Sequence, residues 1–372
     1  MKRFISIFGI ALAALVLTFS CAKKAKEIKI GAILPLTGDV AIYGAMVKNG
    51  IDLAVDKANL QNVIPGRKIK IIYEDTQAKP ELAVSAVNKL ITIDKVPVII
   101  GAMASSEVMA IAPIMNEKKT ILVSPAATSH DITDAGDYIF RTIVSDIYDG
   151  IAMARHAFHE KKFRKVGVFY VIEAGPQGVA EAFIAEFKRL GGNITRVEKC
   201  SRGDKDFRTQ IMNIDNSGPE ALYFALYPRE TEFLARQIRE LGFDKFLMTH
   251  QLIDDPEVLS RLGKAANGII FSTPKLTPET GDSVVKAFYK EYRERYNKEP
   301  QNFVPNAYDA VMIIAKAMAR YGYDAEAVKK GLYEIKDYHD ASGVISIDKN
   351  GDIEQEMLIM KIVDGKTLPV RE

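Results

Sequence analysis

The chain has 372 residues, which is enough for two or more domains and excludes a single small scaffold held by disulfides. Hydrophobic residues make up 48% of it and charged residues 26%, so the composition is that of a globular protein with a sizeable core and excludes a disordered chain. The formal net charge of +2 is too small to indicate a nucleic acid or an anionic membrane as a partner.

The first segment, residues 1–21, has the pattern of a secretory signal. Lys2 and Arg3 precede an apolar stretch over residues 4–19, which ends just before Cys21. The stretch is shorter than the roughly 20 residues that span a bilayer, so we expect it to direct export rather than to form a permanent transmembrane helix. Both surplus positive charges lie in this segment, and the exported chain is formally neutral.

The position of Cys21 resembles the lipid-attachment cysteine of bacterial lipoproteins. The usual preceding pattern is altered, because Leu17 lies one place early and Phe19 is bulky, so cleavage without lipidation is the alternative. Residues 22–27 are short and polar, as expected of a tether or of a disordered mature N-terminus. With Cys21 lipidated, Cys200 would be a lone thiol and no intramolecular disulfide would form.

From Ile28 onward, short apolar strands alternate with longer amphipathic helices, a pattern that indicates parallel sheets covered on both faces. In chain order we predict strands at 28–34, 68–74, 96–103, 120–126, 165–171, 221–227, 245–250 and 267–273. Between them we predict helices at 44–59, 80–94, 105–117, 149–160, 178–190, 231–241 and 256–262. After Pro274 three helices follow at 279–296, 305–321 and 324–336, and then two strand-like stretches, GVISID and EMLIMKI.

These strands exceed what one open sheet normally holds. We therefore expect an α/β protein with two doubly wound parallel-sheet lobes joined by three crossovers. The first lobe would comprise residues 28–143 and 275–342, and the second residues 144–274 and 343–372, with the last crossing near Ser342.

Sequence motifs of enzymes are missing from the chain. It has no phosphate-binding G-x-x-x-x-G-K-[ST] loop, no G-x-G-x-x-G after a strand, no G-x-S-x-G elbow and no H-E-x-x-H. His156 and His159 lie three apart on a predicted helix, but no carboxylate recurs on that face with metal spacing. We therefore expect neither an enzyme nor a metal or cofactor.

Three turns of the first lobe favour a ligand site. The first, third and fourth strands run into LPLTGDVAIYG, GAMASSEV and SPAATSHD, and ligands of open α/β sheets lie beyond the carboxyl ends of the strands. Ser105 or Ser106 would cap a helix whose N-terminus attracts a carboxylate or phosphate. Ordinary helix caps in ordinary loops are the alternative for any one of these turns.

The segments IKIGAILPLTGDVAIYG, IIYEDTQAKPELAVSAVNKLI and VIIGAMASSEVMAIAPIMNEKKTILVSPAATSHDIT, followed by YIFRT, resemble the leucine/isoleucine/valine-binding protein family. These are periplasmic substrate-binding proteins of ABC importers with a type I periplasmic binding fold. The resemblance implies an extracytoplasmic, monomeric, non-enzymatic protein that closes by a hinge on a small carboxylate-bearing ligand and delivers it to a membrane permease. It implies no cofactor.

The resemblance also implies site residues in the first lobe. Ser105 would bind the ligand carboxylate, the Ala126 carbonyl would accept from the ammonium group, and Thr128 would contact both groups. Tyr43, Met103, Ala104 and Tyr308 would line the side-chain pocket, with helix packing as the alternative for the two tyrosines.

In the second lobe the chain departs from the family pattern. Tyr227 matches a pocket tyrosine, but Gly175 stands where an aromatic is common, and Gln251 stands where amino acid binders place an acidic residue against the ammonium group. Asp254, Asp255 or Glu173 would supply the charge if the loop is arranged differently.

The ligand is therefore expected to be a branched-chain or other hydrophobic amino acid. The alternatives are an aromatic or aliphatic acid or an amide without an ammonium group, or a role as a ligand-sensing receptor module rather than in transport.

Overall fold

The computed structural model describes residues 26–38, 40–254, 256–274, 282–300, 303–354 and 356–370. Their strands form a five-stranded sheet, a seven-stranded sheet and a small three-stranded sheet. The two large sheets lie in separate lobes with separate hydrophobic cores. The α/β architecture with mostly parallel sheets is confirmed.

The first lobe is built on a wholly parallel sheet of strand order β2-β1-β3-β4-β5. Its strands are β1 (Lys26–Leu34), β2 (Arg67–Asp75), β3 (Val98–Ile100), β4 (Ile121–Ser124) and β5 (Ile139–Arg141). Its helices are α1 (Ala41–Leu60), α2 (Pro80–Lys89, continued by a π turn over Leu90–Asp94) and α3 (Ser105–Lys118). The three central strands are almost entirely buried, as expected of a parallel sheet covered on both faces.

The second lobe carries the larger sheet, of strand order β15-β14-β10-β9-β8-β6-β7. Strands β6 (Lys165–Val171), β7 (Asn193–Cys200), β8 (Ala221–Ala225), β9 (Phe246–Thr249) and β10 (Ile270–Pro274) are parallel, and β14 (Met357–Val363) and β15 (Lys366–Pro369) extend the edge antiparallel. The helices are α4 (Ile147–Arg155, continued by a π turn over His156–Glu160), α5 (Ala174–Arg189), α6 (Arg208–Asn216), α7 (Pro228–Glu240) and α8 (Pro256–Leu262). Short 3₁₀ turns are found at His130–Asp134 in the first lobe and at Gln251–Ile253 and Gly263–Ala266 in the second.

After β10 the chain returns to the first lobe. Helices α9 (Ser283–Tyr296), α10 (Val304–Tyr321) and α11 (Ala325–Tyr333) pack there, followed by the small antiparallel sheet of β11 (Tyr338–Asp340), β12 (Gly343–Ile347) and β13 (Ile353–Glu354). Helix α10 is buried on nearly every side, because α1 and α11 both pack against it.

The last crossing differs from the expected one. The sequence placed it near Ser342, but Ile345, Ile347 and Ile353 are fully buried in the first-lobe core. The chain passes to the second lobe only between β13 and β14. The short apolar stretches GVISID and EMLIMKI look alike in sequence, yet they belong to different lobes.

Five strands were not predicted from the sequence: β5, β7, β11, β13 and β15. Strand β7 lies at the edge of its sheet with only Cys200 buried and has no apolar run, and the other four have two to four residues each. Helix α6 begins just after the GDKDF segment.

Candidate functional site

A cavity of about 460 Å³ lies between the lobes, at the carboxyl ends of their strands. The first lobe contributes Ser105, Ser106, Met109, Thr128, Ser129 and Asp131, and Asp146 of the first crossover joins them. The second lobe contributes Gly175, Pro176, Val179, Tyr227, His250, Gln251 and Leu252. Of the predicted site residues, the structure thus brings together Ser105, Thr128, Tyr227 and Gln251.

The N-terminus of α3 opens onto this cavity. The Glu107 side chain turns back and accepts the Ala104 N–H at 2.9 Å, while the next N–H groups, those of Ser105 and Ser106, belong to the first turn and have no intrahelical acceptor. The Ser105 Oγ accepts the Ser129 N–H at 3.2 Å, which holds its side chain at the cavity. Exposed N–H groups at the positive end of a 14-residue helix are suited to a carboxylate.

Hydrogen bonds of Ser124 fix the conformation of the loop after β4. The Ser124 hydroxyl donates to the Ala102 carbonyl at 2.7 Å and accepts the Ala127 N–H at 3.1 Å, so the turn is fixed against β3. The Thr128 carbonyl accepts the Asp146 N–H at 3.0 Å, which joins this loop to the first crossover.

A fully buried arginine anchors the same loop. Arg141 at the end of β5 donates two hydrogen bonds to Asp352, at 2.5 and 2.7 Å, and another to the Ser129 carbonyl at 2.8 Å. It also donates to Thr133 Oγ1 at 2.9 Å. Because the paired carboxylate neutralises the guanidinium, Arg141 holds the loop without bringing a free positive charge to the cavity.

Asp146 is the functional candidate that the sequence analysis missed. Burial raises the pKa of its carboxyl, although the Thr128 hydroxyl and the Arg141 charge oppose the shift. The Thr128 hydroxyl bonds this carboxyl, but among the described residues no lysine or arginine lines the cavity to pair with it. A bound ammonium group would supply a cationic partner. The available signal was an aspartate shortly after YIFRT, at the predicted change of lobe.

Asp131 also lines the cavity but is satisfied locally. The His130 Nε2 lies 3.2 Å from one carboxylate oxygen, and the Ser129 hydroxyl donates to the other at 3.2 Å. Both carboxylate oxygens of Asp131 therefore have a partner, whereas Asp146 has no lysine or arginine of the cavity to pair with.

The second-lobe wall is less polar. Burial lowers the pKa of His250 to about 4, so its ring is neutral, and its Nε2–H donates to the Leu226 carbonyl at 3.0 Å. Leu252 and Met109 lie on opposite walls, and each is 40% exposed. A Cβ on Gly175 would stand 4.0 Å from the Tyr227 hydroxyl, so glycine leaves room where the family often has an aromatic.

Five predicted site residues do not line the cavity. Tyr43 is 44% exposed on α1, Met103 packs against the first-lobe core, and Ala104 and Ala126 lie behind the cavity surface. Tyr308 is fully buried on α10, and its ring centroid lies 5.0 Å from that of Phe288. It therefore packs in the core, which is the alternative given for this residue in the sequence analysis.

Two of the proposed substitutes for the missing acid do not line the cavity. The Glu173 carboxylate is 3.6 Å from the guanidinium of Arg202 and accepts from the Tyr227 hydroxyl, and Asp254 borders a separate surface pocket beside β15. Asp255 and Cys21 are outside the described residues.

Within the described ranges, no cluster of histidine, cysteine or acidic side chains is arranged to hold a metal ion. In the same ranges, no helix is both long enough and apolar enough to cross a bilayer.

Two lobes joined by three chain crossings, with a polar and partly apolar cavity between them, define a bilobal ligand-binding protein. Residues 27–367 match the family described as "Periplasmic binding protein". The chain belongs to this family of non-enzymatic substrate-binding proteins, and its fold is the type I periplasmic binding fold that the sequence resemblance implied. Membership implies an extracytoplasmic location.

Individual relatives agree with this assignment. The Leu/Ile/Val-binding protein homolog 3 of Brucella melitensis biotype 1 is 30% identical over 91% of this chain and 92% of its own. The structure of a leucine-binding protein LivK from Thermotoga maritima has 31% identity and a TM-score of 0.74, covering 92% of this chain and 98% of that one. A solute-binding protein from Rhodopseudomonas palustris BisB5, solved with 3,4-dihydroxybenzoic acid, has 25% identity and a TM-score of 0.70, covering 92% and 95%.

Proposed function

We propose that this protein captures an α-amino acid with an apolar side chain and delivers it to the permease of an ABC importer. The observation that carries the proposal is that one cavity holds both an open helix N-terminus and the Asp146 carboxyl, with which no lysine or arginine of the cavity pairs. A zwitterion complements both at once, because its carboxylate suits the N–H groups of Ser105 and Ser106 and its ammonium group suits Asp146.

Asp146 can replace the acidic residue that is missing at the position of Gln251. An ammonium group buried without a partner is costly, and the missing acid in the loop after β9 therefore counted against an amino acid ligand. Asp146, on the first crossover, would supply that negative charge from another side of the cavity. Gln251 then offers neutral hydrogen bonds, and the Thr128 hydroxyl, which bonds Asp146, would contact the ammonium group as the resemblance implies.

The rest of the ligand would meet apolar groups. Met109 of the first lobe and Val179 and Leu252 of the second line the same cavity. Two of these side chains, Met109 and Leu252, are each 40% exposed, so closure of the lobes on an aliphatic side chain would remove apolar surface from water. This gives the closed form a higher ligand affinity than the open one, which hinge closure requires.

The remaining parts of the proposal follow from the family. The protein would act as a monomer outside the cytoplasm, exported by residues 1–21 and, if Cys21 is lipidated, tethered to the membrane through residues 22–27.

The deciding experiment compares ligands that differ only at the amine. Purified mature protein is titrated calorimetrically with leucine, isoleucine and valine and with 4-methyl-2-oxopentanoate, the 2-oxo acid with the carbon skeleton of leucine. We expect the amino acids to bind at one site per chain and to raise Tm, and the oxo acid to bind far more weakly. Equal binding of leucine and its oxo acid would overturn the role of Asp146.

A second candidate is an aromatic or aliphatic acid without an amine. It is favoured by the neutral Gln251 and by the dihydroxybenzoate-bound relative. Binding of 3,4-dihydroxybenzoate with no response to any aliphatic amino acid would establish this candidate in place of the first.

A further inference from the structure

Asp149, on the first turn of α4, is a buried carboxyl just behind the cavity. It is 2% exposed and does not line the cavity itself. One carboxyl oxygen, Oδ2, accepts the N–H of Gln251 at 3.2 Å. The other, Oδ1, contacts the hydroxyl of Ser272, which also lies 3.0 Å from the Asp149 carbonyl oxygen.

Three functional segments meet at this carboxyl. Helix α4 is the first element after the chain enters the second lobe, and Ser272 lies on β10, the last element before the chain leaves it. Gln251 opens the short turn that carries two of the second-lobe cavity residues, Gln251 itself and Leu252. Asp149 therefore joins both crossover segments to the ligand-facing turn.

The Ser272 hydroxyl can bond this carboxyl in two ways, because its single proton is donated either to Oδ1 or to the Asp149 carbonyl. Donation to Oδ1 suits an ionised carboxylate. Donation to the carbonyl suits a neutral carboxyl, which then donates from Oδ1 to Ser272 and still accepts the Gln251 N–H through Oδ2.

The surroundings favour the neutral carboxyl. Burial raises the pKa of Asp149 to about 8 against the opposing hydrogen bonds from Ser272 and Gln251, and the negative charge of Asp146 adds to the rise. The other titratable neighbours are the buried phenol of Tyr223 on β8 and His250, whose ring is neutral.

The remaining elements packed on α4 bring no charge to this carboxyl. From α5, Val179 and Phe183 approach Gly150 closely, and Ile359 of β14 packs on the same core.

We propose that Asp149 is a positioning residue: as a neutral carboxyl it fastens the Gln251 turn and strand β10 to helix α4, and so sets the second-lobe wall of the ligand cavity. The effect on ligand affinity rests on the proposed function, whereas the positioning of the turn does not.

Asp149→Asn and Asp149→Leu test the proposal. The asparagine amide reproduces the neutral carboxyl, since its N–H₂ donates to Ser272 and its oxygen accepts from Gln251, whereas leucine keeps a similar volume without either bond. We expect hydrogen exchange at the Gln251 amide to be unchanged in D149N and at least about tenfold faster in D149L. Leucine affinity should follow the same order.

Measuring Tm as a function of pH distinguishes a neutral Asp149 carboxyl from an ionised one. A carboxyl whose folded pKa is raised to about 8 loses its stabilising effect as pH rises from its unfolded value near 4 towards 8. The Tm of D149N minus that of the wild type should therefore grow by several degrees between pH 4.5 and pH 8. A difference that stays constant over this range would show that Asp149 is ionised throughout and would overturn the proposal.

Asp309 provides a matched control in the first lobe. It is also fully buried, accepts the N–H groups of Ala341 and Ser342 at 3.0 and 2.9 Å, and does not touch the cavity. Asp309→Asn should alter Tm but leave exchange at Gln251 and leucine affinity as they are. If D309N moves both as D149L does, the effect of D149L is general destabilisation and the proposal fails.

Two further outcomes are decisive. If D149L does not fold, the pH comparison of D149N with the wild type decides alone. If the wild type does not bind leucine, the proposed function fails, whereas the exchange and pH measurements still decide the role of Asp149.

Discussion

The two walls of the cavity are built differently. The first-lobe wall presents hydroxyls, open N–H groups and the carboxyl of Asp146, and its loop is tied to the core by the ion pair of Arg141 and Asp352. The second-lobe wall presents Val179 and Leu252 beside a neutral histidine. The first wall is equipped to recognise the charged end of a ligand, and the second to cover the apolar remainder.

This difference separates two kinds of variant. Changes in the first wall should alter affinity for every ligand that shares the recognised charged group. Changes in the second wall should alter which ligand side chains the cavity accepts and how completely the lobes close.

The largest effect is expected where the first wall is anchored. Asp352→Ala would leave the guanidinium of Arg141, whose side chain is 0% exposed, without its counter-charge. Breaking a buried ion pair in this way costs roughly 3–5 kcal/mol. We expect a correspondingly lower midpoint of urea unfolding for the first lobe.

Glu27→Ala is the control for that anchor. The Lys70–Glu27 pair, at 3.3 Å, has both side chains more than half exposed, and such surface pairs contribute about 0–1 kcal/mol. Similar losses in the two variants would show that the Arg141 pair is not a special anchor of this wall.

The next effect concerns ligand charge. Asp146→Asn removes the carboxylate that would pair with the ammonium group, and losing a charge-assisted hydrogen bond costs about 1.5–3 kcal/mol, or roughly 10- to 150-fold in leucine affinity. Asp131→Asn should have a smaller effect, because His130 and Ser129 already satisfy that carboxylate. Calorimetry that finds the two variants equally impaired would contradict the assignment of the ammonium site to Asp146.

A smaller loss is expected at the carboxylate end. Ser105→Ala removes one hydroxyl but leaves the helix N–H groups, so we expect to lose about 0.5–1.5 kcal/mol, or roughly 2- to 12-fold in affinity. The loss should be the same for leucine and for any weakly bound 2-oxo acid, since both carry the carboxylate. An unchanged affinity for both ligands would refute the assignment of Ser105.

The sequence allowed much of the first wall to be predicted. The alternation of strands and helices predicted the α/β fold, local turn chemistry pointed to Ser105 or Ser106, and the family resemblance implied Thr128. Asp146 was missed because its environment depends on burial between the lobes, which no local pattern records. The last crossing was misplaced because the β12 segment and the β14 segment have the same apolar character and differ only in the sheet that they join.

The pocket tyrosines that the resemblance implied had different outcomes. Tyr227 and Tyr308 were both predicted to line the pocket, and sequence could not show that α10 is enclosed by two other helices. Tyr308 is therefore in the core, whereas Tyr227 borders the cavity.

Substitution of these two tyrosines should give the smallest change in ligand affinity, and it tests which wall supplies the side-chain pocket. Tyr308→Phe keeps the ring against Phe288 and lies away from the cavity, so leucine affinity should stay within about twofold of the wild type, a change below about 0.4 kcal/mol. Tyr227→Phe removes a hydroxyl at the cavity, next to the space left by Gly175, and should weaken binding somewhat more. If calorimetry finds Tyr308→Phe to be the more damaging change, closure of the lobes must bring α10 to the ligand, and the first wall would then supply part of the side-chain pocket as well.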